Sequence, residues 1–407
     1  GDGSMLKILR PLDWYAVSDH AEFLGVFPKM ADPDSPLSKL ELAARVTSDD
    51  QLVAFKAYAE TLDNVSAGKV DPALVDPEVV TTIWQEVVAT ADKHNEPGKF
   101  TTFPAYEWSS NPEKQNLHRV VVFKDSGGVP AIPFSSIDSD RPEDQWQWME
   151  ELRGGGVDLL AIAHNGKASN GLMFPESISY GGSEVNAAYA EKRMRNAPVY
   201  ERSQIKGTSE THPILSPNDE FAGFEIWDYT LAADALPPEK KRGGYARGAY
   251  LAGLELQSTG RGNPFKFGVI GDSDSHNSAA MIEENNYRGK FGLENDPKHR
   301  LEGPPGFAEG NKRQIREFSS GGVAGIWAES NTREDLFNAI MRKETFATSG
   351  PRMKLRFFGG FEFDASSMSS PDWLTQAYEW RRPSRRPCLL YTSPSPRDKI
   401  HDRVCRR

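Results

Sequence analysis

The stretch Lys266-Phe-Gly-Val-Ile-Gly-Asp-Ser-Asp-Ser-His276 constrains this chain more than any other. Its apolar run of Phe267, Val269 and Ile270 has the composition of a buried strand, and it ends in metal-grade ligands. Residues two apart on a strand share a face. Asp274 and His276 can therefore grip one ion, with Asp272 beside them, and Gly271, Ser273 and Ser275 are small enough to leave it room. Other apolar segments end in the same way. Leu12–His20 closes on Asp19 and His20, Phe100–Glu107 on Glu107, Leu159–Asn165 on His164 and Asn165, and Phe221–Glu225 on Glu225. Several strands carrying ligands at their C-terminal ends describe the active face of a β/α barrel. The expected fold class is α/β, a TIM-like β/α barrel with long loops over the C-terminal face.

The remaining pattern fills in around those strands. Residues 30–48 are polar and Pro-rich and read as a loop over the barrel mouth. Ser48, with Gln51 three residues on, has the form of a capping box for a helix with Leu52, Phe55, Ala59 and Leu62 inward. Asp76 before Pro77 starts a second helix whose Val80, Ile83, Trp84, Val87 and Val88 recur at helical spacing. Leu117–Phe123 reads as a strand, Arg141–Leu152 as a helix closed by three glycines, and Tyr245–Leu256 as another helix. Residues 165–220 show little regular pattern, so a long lid or pocket wall is expected there. Residues 283–315 read as a charged loop. Asn331 is the expected cap of a last helix, with a closing strand pair in 345–351 and 354–358. Trp84, Trp146 and Met149 belong to helix stripes and are expected in the core. The glycines at 154–156 lack the Lys-Ser/Thr of a phosphate loop.

With 407 residues, 38% of them hydrophobic, the chain can bury a large core, and no apolar run reaches the length of a membrane span. A formal net charge of −10 argues against a surface built to neutralise nucleic-acid phosphates. The end of the chain is different. Cys388–Asp398 resembles a translated sequencing adapter, and residues 381–407 alone carry nine Lys and Arg against two Asp. The expected organisation is one large domain over 1–378 followed by a non-native, unpacked tail over 379–407. Both cysteines, Cys388 and Cys405, fall in that tail. The rest then has no disulfide, no thiolate zinc site and no cysteine nucleophile. No export signal is recognisable. With one upstream the chain would be periplasmic or exported, and without one cytoplasmic.

Neutral imidazoles and carboxylates suit zinc, manganese or iron. Two or three such ions clamp an oxyanion and acidify a water. Glu107 is the candidate bridging carboxylate. His20, His118, His164 and His276 are the candidate histidine ligands, and Asp274 adds charge. Asp19 and Asp272 are the catalytic candidates, placed to orient the histidines. Arg119, Asn165, Lys206 and His212 are the candidates for meeting a small anionic substrate. His94, His299 and His401 suggest no site.

The motifs Ser18-Asp-His20, the Glu107 strand, His118, His164-Asn165 and Ser273-Asp-Ser-His276 resemble the polymerase-and-histidinol-phosphatase superfamily. The branch they resemble most is a bacterial family known as domain of unknown function 3604. Asp19-His-Ala-Glu-Phe-Leu-Gly25, Met30–Pro36, His94-Asn-Glu-Pro97 and Lys206–Pro213 look characteristic of it. The resemblance spans about residues 9–378 and implies a distorted β/α barrel with up to three ions. On that basis Glu107 would bridge two ions, His118 and His164 would hold the second, His20 and His276 the third, and Asp274 the first. The superfamily's opening His-x-His strand has no counterpart before His20. The expectation is therefore an interior gene fragment whose first ion site is weakened. The implied activity is phosphoester hydrolysis by a metal-bound hydroxide. Hydrolysis of an ester, amide or carbamate by the same centre, or metal binding without turnover, are the alternatives.

Overall fold

The computed structural model describes residues 7–231, 238–277, 282–358, 366 and 369–380. Its strands are β1 (Trp14–Tyr15), β2 (Thr101–Thr102), β3 (Ala105–Trp108), β4 (Arg119–Phe123) and β5 (Leu159–Ala163). Then come β6 (Val199–Gln204), β7 (Gly207–Thr208), β8 (Gly268–Gly271), β9 (Val323–Ile326) and β10 (Thr345–Thr348). The helices are α1 (Val26–Met30), α2 (Glu41–Val46), α3 (Gln51–Ser66), α4 (Pro77–Lys93) and α5 (Pro142–Gly154). They continue with α6 (Ala187–Asn196), α7 (Ala246–Ser258), α8 (Glu309–Arg316), α9 (Arg333–Met341) and α10 (Trp373–Trp380).

The main sheet has the order β3-β4-β5-β6-β7, and β8 also pairs with β6. Both neighbours of β4 run antiparallel to it, while β5, β6 and β8 are mutually parallel. β1 pairs with β2, and β9 with β10. β10 is drawn against β8, where the Thr345 hydroxyl donates to the Val269 carbonyl at 2.9 Å. Gly271 permits that approach, because a Cβ there would stand 2.6 Å from the Thr348 carbonyl oxygen.

Alternation divides the strand residues between two cores. Phe103, Ala105, Val122, Leu160, Ile162, Val199 and Ile270 turn one way and pack with Leu336, Phe337 and Ile340 of α9. Tyr106, Trp108, Val121, Phe123, Leu159, Ala161, Tyr200 and Val269 turn the other way. They pack with Trp84, Trp146, Met149, Ala249 and Leu256 of the surrounding helices. Both faces of the strands are thus buried, and each large side chain adds roughly 1.5–3 kcal/mol. The expected core roles of Trp84, Trp146 and Met149 are met in this layer.

The mixed α/β class holds, but among the described residues no sheet closes into a barrel. Antiparallel β4 breaks the all-parallel order of a β/α barrel, and the two-residue β1 and β2 form a separate pair. The stretch 165–220 is more regular than expected, since it contains α6 and the central strand β6. Residues 221–225 form turns, not a strand. Within 30–48, α2 replaces part of the expected loop, and within 283–315 α8 does so. β10 pairs with β9, not with residues 354–358. The cap of α3 is Asp50, whose carboxylate accepts from Leu52 and Val53 N–H at 2.9 and 3.3 Å, while the Ser48 hydroxyl accepts from the Asp50 N–H. Thr332 caps α9, and Asn331 instead donates to the Asp13 carbonyl. Asp76 caps α4 as expected. Helix α10 runs to residue 380, two residues into the expected tail, and 381–407 lies outside the described residues.

Candidate active site

The inner core ends in polar groups at one edge of the sheet, and the same alternation places them. Following Ala105 by two residues gives Glu107, Ile162 leads to His164, Val199 to Glu201, and Ile270 to Asp272 and Asp274. Because β4 runs the other way, its beginning lies at this edge. Residue 118, in step with Val120 and Val122, therefore joins the same face. His20 arrives by pairing in parallel with Glu107, flanked by the Glu107 N–H to Asp19 carbonyl bond and the Ala21 N–H to Glu107 carbonyl bond, both 2.8 Å.

Glu107 is the hub. Its Oε1 accepts from His118 Nδ1 at 2.6 Å and from His164 Nε2 at 3.0 Å, and its Oε2 lies 3.8 Å from His20 Nδ1. The rings of His20 and His118 stand 5.9 Å apart and those of His118 and His164 5.6 Å apart, each pair edge to face. Burial alone would raise the Glu107 carboxyl. The charges of His20 and His164 and the hydrogen bonds from His118 and His164 instead hold it well below the usual carboxylate range. The same contact has opposite results on two histidines. Burial opposes the His164 imidazolium, yet the Glu107 charge outweighs it and lifts His164 to about 9. At His118 burial wins, and the ring is pushed below its ordinary value.

Ser109 Oγ bonds the His20 Nδ1, and His118 Nε2 lies 2.8 Å from the Asn111 side-chain amide. Neither partner was expected, although Glu107, Ser109 and Asn111 stand two apart and their spacing was a readable signal. Glu201 was also missed. It is 4% exposed, its Oε1 has no hydrogen-bond partner, and burial pushes it up to about 8.

Asp274 and His276 adjoin this group, the His276 ring 5.6 Å from that of His20. Asp274 has a left-handed backbone, φ 48°, where β8 gives way to its loop. Its Oδ2 meets both Lys206 Nζ and the Gln204 amide. Its Oδ1 lies 3.4 Å from Lys290 Nζ, which also donates to the Asp274 carbonyl at 2.8 Å and lies 2.6 Å from His276 Nδ1. Against its burial, these lysines hold Asp274 well below the carboxylate range, whereas the His276 side chain is 27% exposed. Lys290 sits in a loop that gave no sequence signal. Asp272 accepts from the Ser273 N–H at 2.7 Å, and its side chain is exposed. Asp19 contributes its carbonyl to the Glu107 N–H, and its own side chain is exposed.

The expected substrate contacts divide. Lys206 lies in the cluster. Asn165, with φ 53° at the end of β5, accepts from Lys167 Nζ at 2.9 Å and leaves its Nδ2 buried without a partner. Lys167 is 2% exposed and is pushed down to about 7 by burial. Arg119 does not face the site. It is 1% exposed, packed over Trp108 and Trp146, and lies one residue out of step with His118. His212 lies elsewhere too, 3.5 Å from Asp228 and beside the Tyr245 ring. Glu225 sits in a turn, not at a strand end.

His20, Glu107 and His118 each offer one ligand atom, and those three atoms lie within 4.8 Å of one another. Two nitrogens and a carboxylate fit zinc, iron or manganese. His164 shares the same carboxylate, and its buried Nδ1 has no hydrogen-bond partner. Among the described residues no helix is long and apolar enough to cross a membrane. Comparison with curated proteins and with solved structures returns no match. A family model does match, over residues 1–383, and the chain belongs to the family described as "Protein of unknown function (DUF3604)".

Proposed function

We propose that this chain is a metal-dependent hydrolase of phosphoesters, built on a distorted barrel of the polymerase-and-histidinol-phosphatase kind. The observation that supports this reading is the hub at Glu107. One buried carboxylate gathers His118, His164 and His20 at the edge where the sheet's inner face turns polar. His20, Glu107 and His118 would hold a zinc, manganese or iron ion, and His164 and His276 adjoin that group, His164 Nε2 3.0 Å from Glu107 and the His276 ring 5.6 Å from that of His20. A bound divalent ion supplies Lewis-acid polarisation of a phosphoryl oxygen and lowers the pKa of water.

The chain's own residues do the rest. Glu107 stays ionised, so it is ready to ligate without losing a proton first. Ser109 and Asn111 fix the rings of His20 and His118. Asp272, exposed just past the end of β8, is a carboxyl group open to exchange a proton with substrate or solvent. Lys206 and Lys290 put positive charge beside the centre. That charge favours an anionic phosphoester over the neutral esters, amides or carbamates that the same centre could polarise.

The test uses chromogenic phosphomonoesters and phosphodiesters beside an aryl ester, each with zinc, manganese or iron and each with chelator. Chelator-sensitive release from a phosphoester, lost in Glu107→Gln, is the expected result. Chelator-sensitive cleavage of the aryl ester alone would replace the substrate class. Metal binding with no turnover of any chromogen would leave a binding module.

A further inference from the structure

Beside the Glu107 hub three lysines are buried almost completely. Lys167 is 2%, Lys290 3% and Lys206 7% exposed. A buried ammonium is costly unless an anion compensates it. Lys206 and Lys290 share one carboxylate, Asp274, so two amino groups converge on a single anion. Lys167 meets only neutral oxygens, Asn165 Oδ1 at 2.9 Å and Ser209 Oγ at 3.4 Å. No carboxylate lies within ion-pair distance of it among the described residues. Lys167 nonetheless feels Lys206, Asp274 and Glu201, which places all three lysines in one field. Among the described residues Asp274 is the one carboxylate that both Lys206 and Lys290 reach. The open side is at His20 and His276, whose side chains are 33% and 27% exposed.

We propose that Lys167, Lys206 and Lys290 form a subsite for the terminal phosphate of the substrate, which makes phosphomonoesters the preferred class. This rests on the hydrolase reading of the adjoining His and Glu group. A terminal phosphate brings about two negative charges at neutral pH. It offers three oxygens to ammonium donors that have more N–H groups than oxygens to bind. A phosphodiester brings one charge and fewer free oxygens, so it uses the subsite poorly.

The probe is inorganic phosphate, titrated calorimetrically into the full chain with and without prior chelation. Wild type should bind it saturably in both states. Lys290→Met and Lys167→Met should each weaken binding about ten- to hundredfold, the size of one charge-assisted hydrogen bond. Lys290→Arg, which keeps the charge, should retain affinity within a few-fold, so a loss confined to the methionine variants is not a folding defect. In turnover, Lys290→Met should raise KM for a phosphomonoester far more than for a phosphodiester. Absence of saturable phosphate binding, or equal affinity in wild type and both methionine variants, overturns the subsite. The two readings fail separately. Phosphate binding by the lysines without any hydrolysis would sink the hydrolase reading alone, and hydrolysis indifferent to the lysines would sink the subsite alone.

Discussion

Replacing Glu107 by Gln tests the hub most directly. In the metal-free protein the carboxylate holds a proton on His164, lifting that ring to about 9, and it accepts N–H bonds at 2.6 and 3.0 Å. At pH 7 stripping the His164 proton costs about 1.36 kcal/mol for each of two pKa units, or ~3 kcal/mol. The hydrogen-bond route leads to a similar figure. Gln keeps one accepting oxygen, so about one charge-assisted bond is lost, worth roughly 1.5–3 kcal/mol. The chelated variant should therefore unfold in urea with a deficit of ~3 kcal/mol at pH 7. The sign of the pH dependence follows from the raised value. His164 contributes fully below its ordinary 6.5, and its contribution is lost as pH rises through about 9. The deficit should thus shrink markedly by about pH 10. Zinc affinity, measured by competition with a coloured chelator, should also fall by more than about a hundredfold, since even losing a group that merely orients a ligand costs 10–100-fold. A variant within 1 kcal/mol of wild type at neutral pH, or one equally impaired at both pH values, would refute the hub.

Glu225 is raised from 4.5 to about 7 chiefly by burial, against the Arg202 charge and with Glu284 adding. Its contribution is present below 4.5 and lost as pH rises through about 7, so unfolding free energy should fall by ~2–3 kcal/mol between about pH 5 and about pH 8.5. Glu225→Gln should flatten that part of the profile, and an unchanged profile would remove the assignment. Ile162 lies in the inner core, so Ile162→Ala should cost about 2–5 kcal/mol in urea unfolding. Ile178→Ala, at a position 57% exposed, should cost less than about 0.5 kcal/mol; equal costs would mean that the inner face is not packed. Ser109→Ala frees the His20 ring and should lower zinc affinity about tenfold with little change in unfolding of the chelated protein, a split that titration and melting together would expose.

The site was more legible in the sequence than the fold was. Apolar residues two apart running into Glu107, His164 and Asp274 announce a strand whose inner face changes from oil to ligands, and the structure gathers these residues at one edge. Strand β6 was missed because its polar letters hide its burial. Glu201, Arg202, Ser203 and Gln204 read as surface, yet all four are buried, and Arg202 is compensated by Glu210 from a later segment. Only the tertiary partner makes that strand possible. Arg119 and His212 were misjudged for a related reason. A cation in a sequence does not say whether carboxylates, ring faces or solvent will meet it, and Arg119 finds two indoles.

Strand direction decides the remaining difference. A histidine ahead of an apolar run should stand at the far end of an all-parallel barrel, away from ligands that follow their strands. His118 lies 2.6 Å from Glu107 because β4 runs antiparallel to both β3 and β5, which brings its first residues level with their last. Hydropathy is the same whichever way a strand runs, so the sequence pattern is silent on this point. The connection between β3 and β4, Ser109 to His118, is also short, and a parallel crossover needs a dozen residues or more. The reversal is therefore imposed by loop length. It turns one strand against the barrel pattern and in doing so brings His118 to the cluster, while Ser109 and Asn111 in that same short loop bond the rings of His20 and His118.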